Sequence, residues 1–170
     1  MSNPRSTAAI GGHPIHPLLV PFPIAFFIAA FLCDLAYWRT GGAFWSEAAL
    51  WLIGSGLVMG LLAGMVGAVD AMGDSRVRAL GKLQWHAAGN AIVLVIELYS
   101  FWLRYNYGAG EVFPQGLYLS TAAVALLGVT GWLGGELVYR HRVAVQSESE
   151  QTVERAVEGR PADERPRSVP

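Results

Sequence analysis

Four histidines are the residues of this chain whose type and spacing could do chemistry: His13 and His16 in GGHPIHPLLVPFP, His86 in QWHAAGN, and His141 in YRHR. Neutral imidazole is the commonest protein ligand for transition metals and a usual axial ligand of haem iron. His13 and His16 each precede a proline, which stiffens the segment that carries them. Asp70 adds a carboxylate that a mixed nitrogen and oxygen site would accept, or that would orient an imidazole from behind. Three readings stay open on these residues. They could hold haem b through His13, His16, His86 and His141, hold a divalent transition metal through His13, His16, His86 and Asp70, or cap helix ends and hydrogen-bond loops.

The elements that must position these groups are set by the solvent the chain is written for. Apolar residues make up 53% of the 170, and charged residues only 15%. Ten of the 25 charged side chains fall between positions 148 and 167, so the preceding sequence is greasier still. That distribution predicts an all-α integral membrane four-helix bundle, residues 13–144, between a flexible N-terminal lead, 1–12, and a polar, disordered tail, 145–170. The spans are expected at about 17–38, 48–69, 83–103 and 117–139. The second has no charge over 22 residues, about 33 Å of helix, enough for a hydrocarbon core of roughly 30 Å. Pro17 suits a first helical turn, whereas Pro21 and Pro23 predict a kink or an interfacial turn near the start of the first span.

Two spans carry more than hydrophobicity. Gly56, Gly60 and Gly64 form a ridge on the second, which could pack a neighbouring helix, pair with a second copy of the chain, or receive a flat ligand. His86, Asn90 and Glu97 fall within about 40° of one another on the third helix, a polar stripe that must face the bundle interior. Glu97 and Asp34 lie deeper or toward the far side, either as a proton relay or paired with Arg104 or Arg39.

Four spans put both termini on one side. That side holds Arg5, Arg76, Arg78, Lys82, Arg140 and Arg142, against Arg39 and Arg104 on the other, which favours cytoplasmic termini. His13, His16, Asp70, His86, Glu136 and His141 all map to the side of the termini. The net charge of −1 and the lack of a basic stripe give no footprint for nucleic acid. No catalytic triad, phosphate-binding glycine loop or CxxC pair is present, and the lone Cys33 reads as a small residue within an apolar run.

GHPIHPLLVPFPIAFFIAAFLCDL, QWHAAGN and GGELVYRHRVAV resemble the bacterial membrane proteins grouped as family 2231 of the domains of unknown function, over about residues 10–145. Some relatives in that family are joined to Rieske-type iron–sulfur or cytochrome-like modules, so the resemblance implies redox company. It tilts the expectation toward haem b and membrane electron transfer, with a separate redox partner protein. The resemblance carries over to His13, His16 and His86. Where the family tends toward His-Gly at the end of the fourth helix, this chain has His141-Arg142.

Overall fold

In the computed structural model, the described residues are 7–11, 13–73, 75–110 and 113–140. His141 and the tail beyond it lie outside them, as do residues 1–6 of the expected lead. Over residues 7–11 that lead is part of a small antiparallel hairpin, β1 (Ala9–Ile10) with β2 (His13–Pro14). Asp70 accepts a hydrogen bond from the Ala8 N–H at 2.7 Å, and the Thr7 hydroxyl donates to the Val69 carbonyl at 3.1 Å. Thr7 and Ala8 are thereby latched to the end of the second span.

Helix α1 (Ile15–Leu19) and α2 (Pro21–Thr40) together make the first span, joined at Val20. The interfacial turn expected from the prolines is this short helix and its junction: Pro17 lies inside α1, and Pro21 opens α2, where a missing N–H costs nothing. Gly41 closes α2 at φ 66°, a left-handed conformation that favours glycine, and its N–H reaches the Tyr37 carbonyl at 2.7 Å. Helix α3 (Ala43–Gly73) is the second span. A short α4 (Ser75–Arg78) leads to α5 (Gly81–Tyr107), and α6 (Gln115–Tyr139) is the fourth span. All four spans are long and apolar enough to cross a membrane. The third continues through Arg104 to Tyr107, four residues past its expected end at 103, because that arginine is covered inside the bundle.

Helices α2 and α3 form one antiparallel hairpin and α5 and α6 another; across the bundle, α2 lies against α6 and α3 against α5. The β1–β2 hairpin, the start of α1, the α3–α5 connection and the end of α6 share one end, called here the terminal end. The α2–α3 and α5–α6 turns share the other, the loop end. Large apolar side chains point outward, including Trp51, Leu61, Val95 and Val129. Aromatics gather near both ends of the spans, with Trp38, Trp102, Tyr105 and Tyr118 toward the loop end and Trp85, Trp132 and Tyr139 toward the terminal end, as interfacial belts do. The interior holds a small apolar core of Phe27, Ala30, Ala49, Ile53, Leu57, Val93, Ala123 and Leu127. An apolar exterior around an interior with polar groups is the pattern that lipid, not water, selects.

The glycine ridge of α3 works in packing within the chain. A Cβ at Gly56 would overlap the Phe27 ring, and one at Gly60 would stand 2.7 Å from Leu94. Both positions are therefore filled by neighbouring helices, while Gly64 faces open space. Gly56→Leu is expected to destabilise the fold by about 1–3 kcal/mol through overpacking. The check is the thermal midpoint of the detergent-solubilised protein, with Gly64→Leu as a control that leaves it unchanged.

Candidate functional site

At the terminal end the structure brings two of the expected histidines toward each other. His16 lies in α1 and donates through Nδ1 to the Ala63 carbonyl of α3 at 2.8 Å; His86 lies in α5 and donates through Nδ1 to the Thr130 carbonyl of α6 at 2.9 Å. A carbonyl oxygen can only accept, so in both rings the proton sits on Nδ1 and Nε2 carries the lone pair; at His86 the Asn90 amide nitrogen lies 3.4 Å from that Nε2, a contact an incoming ligand would have to replace. This tautomer, with one nitrogen fixed from behind by a backbone carbonyl, is how ligating histidines are usually oriented. The His16 ring is near enough for its charge to be felt at His86.

The means of access is the same in both cases. A helix carbonyl is normally shielded by the side chain four residues on, and here those residues are Gly67 and Gly134. A Cβ on Gly67 would stand 2.8 Å from the His16 ring, and one on Gly134 would stand 3.0 Å from the His86 ring. Asn90, one turn beyond His86, donates to the His86 carbonyl at 2.8 Å and lies 3.3 Å from the Thr130 hydroxyl, which holds α5 against α6 beside the imidazole.

The other candidates go elsewhere. His13 is exposed in β2, with Nδ1 donating to the Gly11 carbonyl at 3.0 Å, which shapes the hairpin. Asp70 is engaged by the latch to Ala8. Glu136 is paired with Lys82 of α5, and with Arg140 at 3.1 Å, which closes the terminal end between α5 and α6. His141 lies outside the described residues. Among the described residues, no three His, Cys, Asp or Glu side chains cluster so as to hold a bare metal ion.

A second polar cluster sits toward the loop end. Arg104 is 2% exposed and Asp34 3%, and they meet fork to fork: Nη1 donates to Oδ1 at 2.8 Å and Nη2 to Oδ2 at 2.7 Å. Arg104 Nε donates to Ser100 at 3.2 Å, and the Ser120 hydroxyl of α6 bonds to Asp34 Oδ2. Gly116 lets α6 come this close, because a Cβ there would run into the guanidinium. The pairing of Asp34 with Arg104, one of the alternatives open in the sequence, is the one observed; Arg39 is exposed. Between the two clusters lies Glu97, fully buried, and neither carboxyl oxygen has a hydrogen-bond partner among the described residues.

These clusters follow one plan used twice. From His16 to Asp34 and from His86 to Arg104 the chain advances eighteen residues, five whole helical turns, so each histidine shares a helix face with one member of the buried ion pair. Each hairpin then receives its histidine on a carbonyl exposed by a glycine of its second helix. Both hairpins run in the same direction, as parallel repeats about an axis along the membrane normal do. Arg104 extends the face of His86, Asn90 and Glu97 to the far end of α5, seven residues beyond Glu97.

Fold and site define a four-helix membrane protein with a buried ion pair at one end and two backbone-anchored imidazoles at the other. The chain belongs to the predicted membrane protein family DUF2231, whose family model matches residues 12–147. It matches no curated protein and no solved structure.

Proposed function

We propose that the protein binds haem b at the terminal end through Nε2 of His16 and His86 and takes part in electron transfer in the membrane. The observation that carries this reading is the matched pair of imidazoles, each fixed in the ligating tautomer by a carbonyl of the neighbouring helix. Donor number favours haem over a bare ion. A porphyrin brings four equatorial nitrogens and needs two axial ligands, whereas a divalent metal asks the protein for three or four. Two imidazoles converge here, and Asp70 is held in the latch. Bound haem would supply a one-electron redox couple close to the membrane surface.

The surrounding residues have definable parts in such a site. Ala63 and Thr130 hold the rings through their carbonyls, and Gly67 and Gly134 give the rings room. Gly56 and Gly60 are taken up by Phe27 and Leu94, so the flat ligand belongs nearer the terminal end than the ridge as a whole suggested. A homo-oligomer through glycine ridges would use Gly64, Gly128 and Gly131, whose surfaces are open. Electrons would be exchanged with a separate redox partner protein. The side of the termini faces the cytoplasm of a bacterial cell in this reading. Its support is the basic excess there, which grows once Arg104 is recognised as buried and leaves Arg39 alone on the opposite side.

Haem-replete expression followed by purification in detergent is expected to give a Soret band that shifts on dithionite reduction. His16→Ala and His86→Ala should each remove the six-coordinate low-spin spectrum, whereas His13→Ala should leave it unchanged. Absence of a Soret band both after expression and after reconstitution with haemin would overturn the reading. Stoichiometric metal without porphyrin, lost in His86→Ala, would replace it with the metal-binding alternative.

A further inference from the structure

Among the described residues, Glu97 is the one buried ionisable side chain that the ion pair does not take up. It is 0% exposed on the interior face of α5, seven residues before Arg104 and thus about 10 Å from it along the helix. Its counterpart in the first hairpin is Phe27, eleven residues after His16 as Glu97 is eleven after His86. Phe27 fills the space at Gly56 and belongs to the apolar core. An apolar side chain therefore serves the fold at the equivalent place, and a carboxyl group there needs another reason.

The surroundings say what it could bind. Arg104 on its own helix and Asp34 of α2 are the charged groups near enough to be felt at Glu97. The buried positions of α3 and α6 in this part of the core are Ala49, Ile53 and Leu57, and Ser120, Ala123 and Leu127, none of them titratable. Arg104 is already neutralised by Asp34 through two short bonds. An ionised Glu97 would add an uncompensated negative charge to an apolar core, at a cost of several kcal/mol. A proton removes that charge and needs no extra room in a close-packed site.

We propose that Glu97 is a proton-carrying site inside the membrane, which exchanges its proton with water at the loop end by way of the Asp34–Arg104 pair. In the observed arrangement Glu97 holds the proton and Arg104 pairs with Asp34. When the proton passes from the Glu97 carboxyl to the Asp34 carboxylate, the Arg104 guanidinium pairs with Glu97 instead. The set keeps one cation, one carboxylate and one carboxylic acid throughout, so charge is conserved. Arg104 lies three residues from the end of α5 and Asp34 six from the end of α2, which makes the pair the step between Glu97 and the loop-end surface.

The test is infrared spectroscopy of the full chain in lipid nanodiscs at neutral pH. A carboxylic acid C=O band is expected that moves on ¹³C-glutamate labelling, shifts on transfer to D₂O, and is lost in Glu97→Gln. Labelling assigns the band to a glutamate and not an aspartate in the unmodified protein, and among the described glutamates only Glu97 is fully buried, so the result stands even if that variant fails to fold. Arg104→Lys, which retains the charge but loses the fork, should slow the deuterium shift. Glu97→Leu should remove the band while raising the thermal midpoint, since the fold does not need the carboxyl. Absence of the band, its persistence in labelled protein without an isotope shift, or its failure to exchange in D₂O would each overturn the proposal. An exchange rate unchanged in Arg104→Lys would overturn the route through the ion pair.

Discussion

Arg104→Ala is expected to lower the stability of the bundle by about 3–5 kcal/mol, because it leaves the Asp34 carboxylate buried with no cation. The geometry places this substitution near the upper end of what one residue can do. Arg104 fixes three elements together: two nitrogens reach Asp34 on α2, Nε holds Ser100 on α5, and the guanidinium packs on Gly116 of α6. Neither helix can shift to bring water to Asp34 without opening the loop end. The loss should appear as a large fall in the thermal midpoint in detergent and in early loss of the α2–α6 contact. The double variant Asp34→Leu with Arg104→Met tests the cause, since replacing both ions by apolar groups of similar volume is often neutral or stabilising. Recovery of the midpoint would show that the unpaired charge does the damage. An Arg104→Ala protein within about 1 kcal/mol of the parent would mean that water already reaches Asp34.

The same pair marks the boundary of what the sequence could tell. Membrane location, four spans and the approximate ends of each were legible because hydrocarbon admits few solutions, and apolar runs of sufficient length announce them. Asp34 and Glu97 were also legible as buried carboxylates, since each interrupts such a run. Which cation answers Asp34 was not, because Arg39 and Arg104 stand at similar distances from the loop end and only packing sends one inward. Helix crossing and the small surface of Gly116 decide that, and neither has a local signature in the chain.

Among the histidines the outcome divides along similar lines. That His13, His16 and His86 approach one end of the bundle followed from counting spans. That His16 and His86 form the pair, with His13 spent on a hairpin, depends on two carbonyls laid bare by Gly67 and Gly134. In the sequence those glycines are two among several on their helices. The signal that would have selected them is relational: a glycine four residues after the accepting carbonyl, in the second helix of each hairpin. Reading the chain as two copies of one hairpin brings it out, together with the shared eighteen-residue interval from each histidine to the buried ion pair.

Gly134→Leu is accordingly expected to weaken haem binding by about 10–100-fold while keeping His86 in the sequence, an effect of the size seen when the partner that orients a ligand is lost. A Cβ at Gly134 stands 3.0 Å from His86 Cε1 and 3.3 Å from Nδ1, tighter than ordinary van der Waals contact, and the rest of a leucine side chain would cover the Thr130 carbonyl. The imidazole would lose its Nδ1 anchor and with it the fixed direction of Nε2. Gly131→Leu, one turn away at an open position, adds the same bulk without touching the ring and should bind haem as the parent does. Haemin titration followed by the Soret band measures both. Equal affinities for the two variants would detach haem binding from His86 and leave the carbonyl anchor a feature of helix packing alone; a loss confined to Gly134→Leu ties the affinity to the orientation of a single ring.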